Sequence, residues 1–440
     1  MEYKTFRGGI HPPYRKEAAS LPIKELSLPG EVVIPMQQHV GAPNNPVVSV
    51  GERVEAGQKI GQSDAFISAP VHASVSGTVK AIEERTIFTG AKTNSVVITV
   101  DSNQPLKWRE KRDVSALSPN EIRNTAKEAG LVGLGGAAFP TYVKLSPPED
   151  KPIDIVIING CECEPYLTCD HRLMLENPDD IISGLKLMMK AVGAQKGIIG
   201  IEANKLDAVH VLSSRLEGES SIEVVVLEVK YPEGAEKMLI DAITGRRVPP
   251  GKLPSEVGVL VQNVQTACAL HEAASTGKPV IERVITVSGG GVKNPGNLRV
   301  KVGTPIEHLI EQCGGFTGTP AKVIVGGPMT GWAQKDLSAP VVKGTSGVLI
   351  LTEEEAAYAA ELDCVGCGKC LDACPMFLEP NLIVKYVKRG QYDLAEKFGA
   401  PDCFECGCCS FVCPSQIKHV QYVRKAKAEL QAAKKAAAKS

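Results

Sequence analysis

Cys364-Val365-Gly366-Cys367-Gly368-Lys369-Cys370-Leu371-Asp372-Ala373-Cys374-Pro375 returns later in the chain as Cys403-Phe404-Glu405-Cys406-Gly407-Cys408-Cys409-Ser410-Phe411-Val412-Cys413-Pro414. Each stretch is a C-x2-C-x2-C-x3-C-P run, and each such run implies one [4Fe–4S] cluster. Three thiolates at this spacing reach adjacent corners of a cubane from one short turning loop. The fourth cysteine lies a helical turn further on and serves the other cluster in two-cluster proteins. The expected sets are therefore Cys364, Cys367, Cys370 with Cys413, and Cys403, Cys406, Cys409 with Cys374. Cys408 falls outside the spacing and reads as a small packed residue. Two zinc sites would also use C-x2-C pairs, but they have no need of a third x2 step or of the x3-Cys-Pro ending.

The rest of the composition is that of an ordinary globular chain. Its 440 residues suggest several domains; 43% are hydrophobic and the net charge is −1. No basic, aromatic-interleaved surface argues for nucleic acid. The apolar runs at 153–158 and 222–229 have the length of buried strands and fall short of a membrane span. Met1-Glu2-Tyr3-Lys4 has no apolar signal core, and eight of the 14 cysteines sit in cluster spacing. Both features favour a reducing, cytoplasmic setting.

Outward from the cysteine runs, the chain divides by pattern. Residues 1–30 are polar and proline-rich and read as an extended arm. Short β segments with frequent turns fill 31–105. Two of them, around Val48-Ser49-Val50-Gly51-Glu52 and Val75-Ser76-Gly77-Thr78-Val79, resemble the halves of a biotinyl/lipoyl-type barrel-sandwich. The intervening turn, Gln62-Ser63-Asp64-Ala65-Phe66, has no carrier lysine, so a structural or docking module is expected. Strands and helices then alternate from 110 to 280, the pattern of an α/β sheet covered on both faces. Residues 281–345 read as strand pair, helix, strand, a β-grasp unit. A helix with the acidic first turn Glu353-Glu354-Glu355 is expected to lead into the cluster domain at 350–423, and 424–440 reads as a weakly helical, solvated Ala/Lys tail. The fold class is thus multidomain, mixed α/β and α+β.

The α/β segment holds the candidate binding loops. Ser118, Pro119 and Glu121 start a helix that Gly130 stops. Gly133-Leu134-Gly135-Gly136-Ala137-Ala138-Phe139-Pro140-Thr141-Tyr142-Val143-Lys144 follows; its glycines let backbone approach a flat or anionic ligand. A helix precedes these glycines, so they are not the strand-borne dinucleotide fingerprint, and alone the loop suits a cradle or a structural turn equally. Asn159-Gly160-Cys161-Glu162-Cys163-Glu164-Pro165 stands at the carboxyl end of the 153–158 run, where open α/β sheets place ligands. Cys161, Cys163 and Cys169 lack the spacing of a third metal site. Asp170-His171 reads more readily as a structural pair than as a proton relay.

These motifs together resemble a family. Residues 133–144 are similar to the flavin-binding Gly-Arg-Gly-Gly-Ala-Gly-Phe-Pro-Thr-Gly-x-Lys stretch of the NADH-oxidising flavoprotein subunit of complex I. Asn159–Pro165 looks like its Asn-x-Asp-Glu-x-Glu-Pro, and Tyr231-Pro232-Glu233-Gly234-Ala235-Glu236 like its Tyr-x-x-Gly-Glu-Glu. The domain order, with the opening Phe6-Arg7-Gly8-Gly9-Ile10-His11-Pro12-Pro13, resembles still more closely the C subunits of Rnf electron-transport complexes. That resemblance implies FMN on Gly133, Gly135, Gly136, Lys144, Asn159, Glu162 and Gly234. It implies NAD(H) near Phe139, Glu164 and Glu236, the two acids being the candidate catalytic residues. Leu134, Cys161, Ala235 and Gln262 depart from the family's stretches.

The chemistry is coherent. A nicotinamide exchanges a hydride, a cluster exchanges one electron, and a flavin does both. The resemblance therefore implies a peripheral subunit on the cytoplasmic face of the membrane, relaying electrons between NAD(H), FMN, two [4Fe–4S] clusters and the other subunits of an ion-translocating ferredoxin:NAD oxidoreductase, with ferredoxin reached through a partner. A cobalamin reductase of the microcompartment type shares the domain order. A non-catalytic iron–sulfur wire is the reading from another class, resting on the departures at 134, 161 and 235.

Overall fold

The computed structural model describes residues 3–105, 108–356 and 359–437. The ends of the arm and of the tail lie outside them. Two small antiparallel sheets make the barrel-sandwich: Glu31–Pro35, Lys92–Val100, Gly77–Thr86 and Arg53–Val54 in one, and Asn45–Pro46, Lys59–Gln62 and Val71–His72 in the other. Val32, Ile34, Ile60, Val71, Val79, Val96 and Ile98 fill the space between them. Burying such alternating residues from two faces is what holds so small a sandwich together.

The next unit is a four-stranded parallel sheet in the order Ile222–Leu227, Lys196–Glu202, Ile155–Asn159, Val259–Asn263. Val156 and Ile158 pack toward the core shared by helices Pro119–Glu128, Pro178–Val192 and Val264–Thr276, while Ile157 packs toward helix Glu236–Thr244. Both faces are covered, as the continuous apolar runs require. Strand order reverses between Ile155–Asn159 and Val259–Asn263, which makes their carboxyl ends the switch point where such sheets bind ligands. Asn159 and Asn263 are register partners there.

A six-stranded sheet carries the β-grasp unit, with helix Ile306–Gln312 packed on it. Its strand Gly347–Leu351 sits between Glu282–Ser288 and Lys322–Val325, so the unit ends at Leu351 rather than at 345. Its edge strand comes from the arm: Ile23–Glu25 pairs in parallel with Gly296–Lys301. The arm is thus a strap. Lys4 bridges to Leu227, Ile10 to Tyr231, and Gly9 N–H donates to Ala373 O at 3.1 Å. Lys16 Nζ donates to the carbonyls of Glu162, Glu164 and Leu167 at 2.7, 2.8 and 2.6 Å.

One expectation near the cluster domain is corrected and one is refined. Residues 353–356 form a turn, not a helix, because Glu355 turns its carboxylate back onto the N–H groups of Thr352 and Gly290. The tail is anchored at its root: helix His419–Ala437 runs into it, burying Val423 and Ala426 beneath helices Pro380–Lys388 and Tyr392–Lys397, while residues 431–437 are exposed as a solvated tail would be. Lys427 and Lys434 fix it further through Glu405 and Glu396, both at 2.8 Å.

Candidate functional site

In the cysteine repeats, Gly368 and Gly407 occupy the same place, at φ +76° and +85°, just before the short helices Lys369–Asp372 and Cys408–Phe411. Only a residue without Cβ takes that turn cheaply. It folds each run back on itself. One cavity is lined by Cys374, Cys403, Cys406 and Cys409, the other by Cys364, Cys367, Cys370 and Cys413. The fourth cysteine of each run therefore lies with the first three of the other run. Cys408 lines the first cavity as well, while Lys369, Asn381, Ser415 and His419 stand among the cysteines of the second; four sulfurs converging on one cavity are the donor set of a cubane. Backbone N–H groups of Leu378 and Glu405 point at Cys374 Sγ and Cys403 Sγ, each at 3.4 Å. Burial pushes the Cys403 thiol up to about 11, a cost that bound iron would offset. Cys408 is buried outside both sets of four and faces Tyr231 O at 4.0 Å.

The candidate flavin cradle lies at the switch point. Gly133 N–H closes the glycine loop on Phe139 O at 2.9 Å, and the Gly135–Ala137 backbone is exposed. Leu134 N–H donates to Thr266 Oγ1 at 3.0 Å, and Leu134 O accepts from the buried Arg283 guanidinium. A Cβ on Gly135 would run into Asn263, whereas one on Gly136 would meet only open space. Across the crevice, Asn159 Nδ2 donates to Gly234 O at 2.8 Å, and a Cβ on Gly234 would lie 3.2 Å from Cys163 Sγ. Lys144 Nζ bonds Glu236 at 2.7 Å and Val261 O at 3.1 Å. Gln262 Nε2 and Thr141 Oγ1 are buried without a partner at this same edge. Exposed glycine backbone, a half-buried lysine and unpaired buried polar atoms fit a planar ligand bearing a phosphate.

Not every expected residue faces the crevice. Glu162 caps helix Cys169–Glu176, accepting from Asp170 and His171 N–H at 2.7 and 3.2 Å, so its carboxylate is taken. Glu164 accepts from Met329 and Thr330 N–H at 3.0 and 2.9 Å and from the Thr330 hydroxyl. It locks the β-grasp loop onto the core, and both its oxygens are engaged. Of the two acids expected to meet a nucleotide, only Glu236 stands beside the cradle lysine. His171 pairs with Asp207 at 2.8 Å, not with Asp170. Glu162, Cys169 and Asp170 approach within 4.8 Å of one another. Their ligand atoms are spent on N–H groups, on the amides of Asn263 and Gln265, and on Ser346 O, which makes the trio a closed joint.

Sequence reasoning missed Lys16, Asn263 and Arg283, which hold the loops in place, whereas the structural reading of Asp170 agrees with its bonds to Asn263 and Gln265. Asn263 was legible as the residue paired with Asn159 across adjacent strand ends. Lys16 and Arg283 carried no local signal, because their partners are carbonyls far away in the chain.

Comparison with known proteins accounts for nearly every segment. Residues 4–103 match the RnfC barrel sandwich hybrid domain, 126–272 the Nuo51 FMN-binding domain, 284–333 the SLBB domain and 357–414 the 4Fe-4S dicluster domain. The C subunit of the Na(+)-translocating ferredoxin:NAD(+) oxidoreductase complex of Acetobacterium woodii is 48% identical over 91% of this chain and 91% of its own length. The C subunit of the proton-translocating complex of Clostridium ljungdahlii is 45% identical over 98% and 95%. Among solved structures, an NAD+-reducing [NiFe]-hydrogenase in the H2-reduced state shares the fold at TM-score 0.51 and 21% identity, over 71% of this chain and 61% of that one. The chain belongs to the RnfC family, the C subunits of ion-translocating ferredoxin:NAD(+) oxidoreductase complexes, electron-transfer proteins that join an FMN-binding domain to a two-cluster iron–sulfur domain.

Proposed function

We propose that this chain takes up or delivers electrons at a NAD(H) site beside its FMN cradle and passes them through two [4Fe–4S] clusters to a partner subunit of a membrane complex, which it meets as a peripheral component on the cytoplasmic face. FMN, when bound, supplies the exchange between hydride and single electrons. The observation that carries the reading is the joint between cradle and clusters. Tyr231, from the loop that also presents Gly234, donates its hydroxyl to Cys406 O at 2.8 Å. Cys163, Tyr231, Ile10, Ala373, Cys406 and Cys408 pack as one buried group there. The cavity of Cys374, Cys403, Cys406 and Cys409 is therefore the inner one. Cys364 and Cys367 of the other cavity are exposed, next to exposed Leu362 and Val365, which suits a handover to another redox protein. Ion translocation belongs to the whole complex, and ferredoxin would be met through a partner.

Each residue has a physical task in this scheme. Lys144 offers a point charge to a phosphate, and its ion pair with Glu236 keeps both groups poised when no ligand competes. Glu236 is the acceptor available for ribose hydroxyls, and its charge opposes a 2′-phosphate. Arg246 is held by Asp154 at 2.6 Å and Arg247 by Asp241 at 3.3 Å, so neither is free to neutralise one. NADH is therefore the expected nucleotide. Anaerobic stopped-flow flavin bleaching with NADH and NADPH tests this. Faster bleaching by NADH, slowed in Glu236→Gln with iron and flavin contents unchanged, is the expected result; equal rates with NADPH would contradict it. A corrinoid reduction assay separates this reading from that of a cobalamin reductase.

A further inference from the structure

The barrel-sandwich domain has no task in the scheme so far, yet its hairpin tip touches the short helix that closes the glycine loop. We propose that Phe66, at that tip, stacks on the purine base of the dinucleotide, so that the barrel-sandwich forms one wall of the nucleotide site. The inference rests on the NAD(H) reading above. It begins from an aromatic ring that is 67% exposed although one edge of it is already engaged. The Phe66 ring meets Tyr142 edge to face, with centroids 6.0 Å apart and planes at 79°. Tyr142 stands in the short helix Thr141–Lys144 that closes the glycine loop, two residues before Lys144 and three after Phe139. The contact leaves most of the Phe66 ring exposed.

The tip is fixed in place. The buried Lys343 ammonium donates to Pro70 O at 2.8 Å and to Gly130 O at 2.7 Å, joining the end of the hairpin to the residue that opens the glycine loop. Ala42 N–H holds Ile67 O at 2.9 Å, and Gly41 packs against the same residue. Val40 and Ile67 add exposed apolar surface beside the ring. Lys127 Nζ lies 5.6 Å from the Tyr142 centroid, adding positive charge on this flank. A flat apolar face and an adjacent cation match two parts of a dinucleotide, its base and its phosphates, on the flank of the glycine loop that FMN would occupy. In barrels of this type that carry a cofactor the tip bears a lysine; here the same position offers an aromatic platform.

The test uses the full chain loaded with iron–sulfur clusters and FMN. Calorimetric titration with ADP-ribose, which has the base but no nicotinamide, reads the contact directly. Phe66→Ala should weaken ADP-ribose about tenfold, within the range seen for loss of one base–aromatic stack, and Phe66→Trp should restore it. In flavin bleaching, Phe66→Ala should raise the NADH concentration needed for half-maximal rate while the limiting rate holds. Its preference for NADH over reduced nicotinamide mononucleotide should shrink by the same factor. Substitution of an exposed ring is expected to leave folding intact. Unchanged ADP-ribose affinity in Phe66→Ala, with NADH still bleaching the flavin, would overturn the proposal and leave the tip as a protein-docking surface. A wild-type protein whose flavin ignores NADH would remove the nucleotide reading itself.

Discussion

Glu233 is fully buried, with only the Thr5 hydroxyl near its carboxyl oxygens and no well-formed hydrogen bond to either. Burial first, then the charge of Glu202, pushes it up to about 9. Lys230, Glu228, Tyr14 and Cys161 complete its titratable surroundings. An acid raised in the folded state keeps its proton there while the unfolded chain releases it above the ordinary carboxylate range near 4.5. Stability from this residue is thus intact below about 4.5 and is lost progressively as pH rises toward about 9. Glu233→Gln keeps the neutral shape and removes that loss. Thermal unfolding should show the variant melting above wild type at pH 8 and level with it at pH 5; identical curves at both values would mean the carboxyl is solvated after all. Glu164 teaches a related lesson. Its place at a strand end was legible in the sequence, but its partners, Met329 and Thr330, are contributed by another domain, and no local pattern announces them. Residue type was readable here, whereas residue employment was not.

At the scale of elements, the glycine loop offers a discriminating substitution. Gly135→Val would strike Asn263 and disturb the loop even without ligand. Gly136→Val enters space that the chain leaves open. It should abolish FMN retention while iron content and melting temperature hold. Retained flavin in that variant would place the isoalloxazine or its phosphate elsewhere. The cysteine runs make a second case. Because Cys374 lines the cavity of Cys403, Cys406 and Cys409, Cys374→Ala should damage the cluster of the second run and spare that of the first. Paramagnetic resonance of the reduced variant decides it; loss of the cluster at Cys364, Cys367 and Cys370 instead would mean that each run serves itself. These elements were legible because their signals are local: a spacing, a capping box, an apolar run. The anchoring of the arm and of the root of the tail was not legible, for the opposite reason. The arm's anchors are single contacts such as Lys16 on three carbonyls, scattered across proline-rich sequence. The tail helix gains its order from Val423 and Ala426 packing against other helices, which an Ala/Lys composition does not reveal.

In the proposed scheme the whole molecule is a line from nucleotide to partner. The barrel-sandwich and β-grasp units flank the cradle, joined to it through Lys343 and Arg283. The arm ties core, clusters and β-grasp sheet together. The inner cavity meets the core at Tyr231, and the outer one opens to solvent. Domain order could be read from sequence, but which cysteine set faces the flavin could not, since the two runs are alike and only the fold distinguishes inner from outer. The central claim is that order, and rapid-freeze paramagnetic resonance after anaerobic mixing with NADH tests it most directly. In Cys413→Ala, which lacks the outer cluster, the inner cluster should still become reduced at the wild-type rate. In Cys374→Ala, which lacks the inner one, flavin should bleach while the outer cluster remains oxidised. An outer cluster reduced at the wild-type rate in Cys374→Ala would contradict the account.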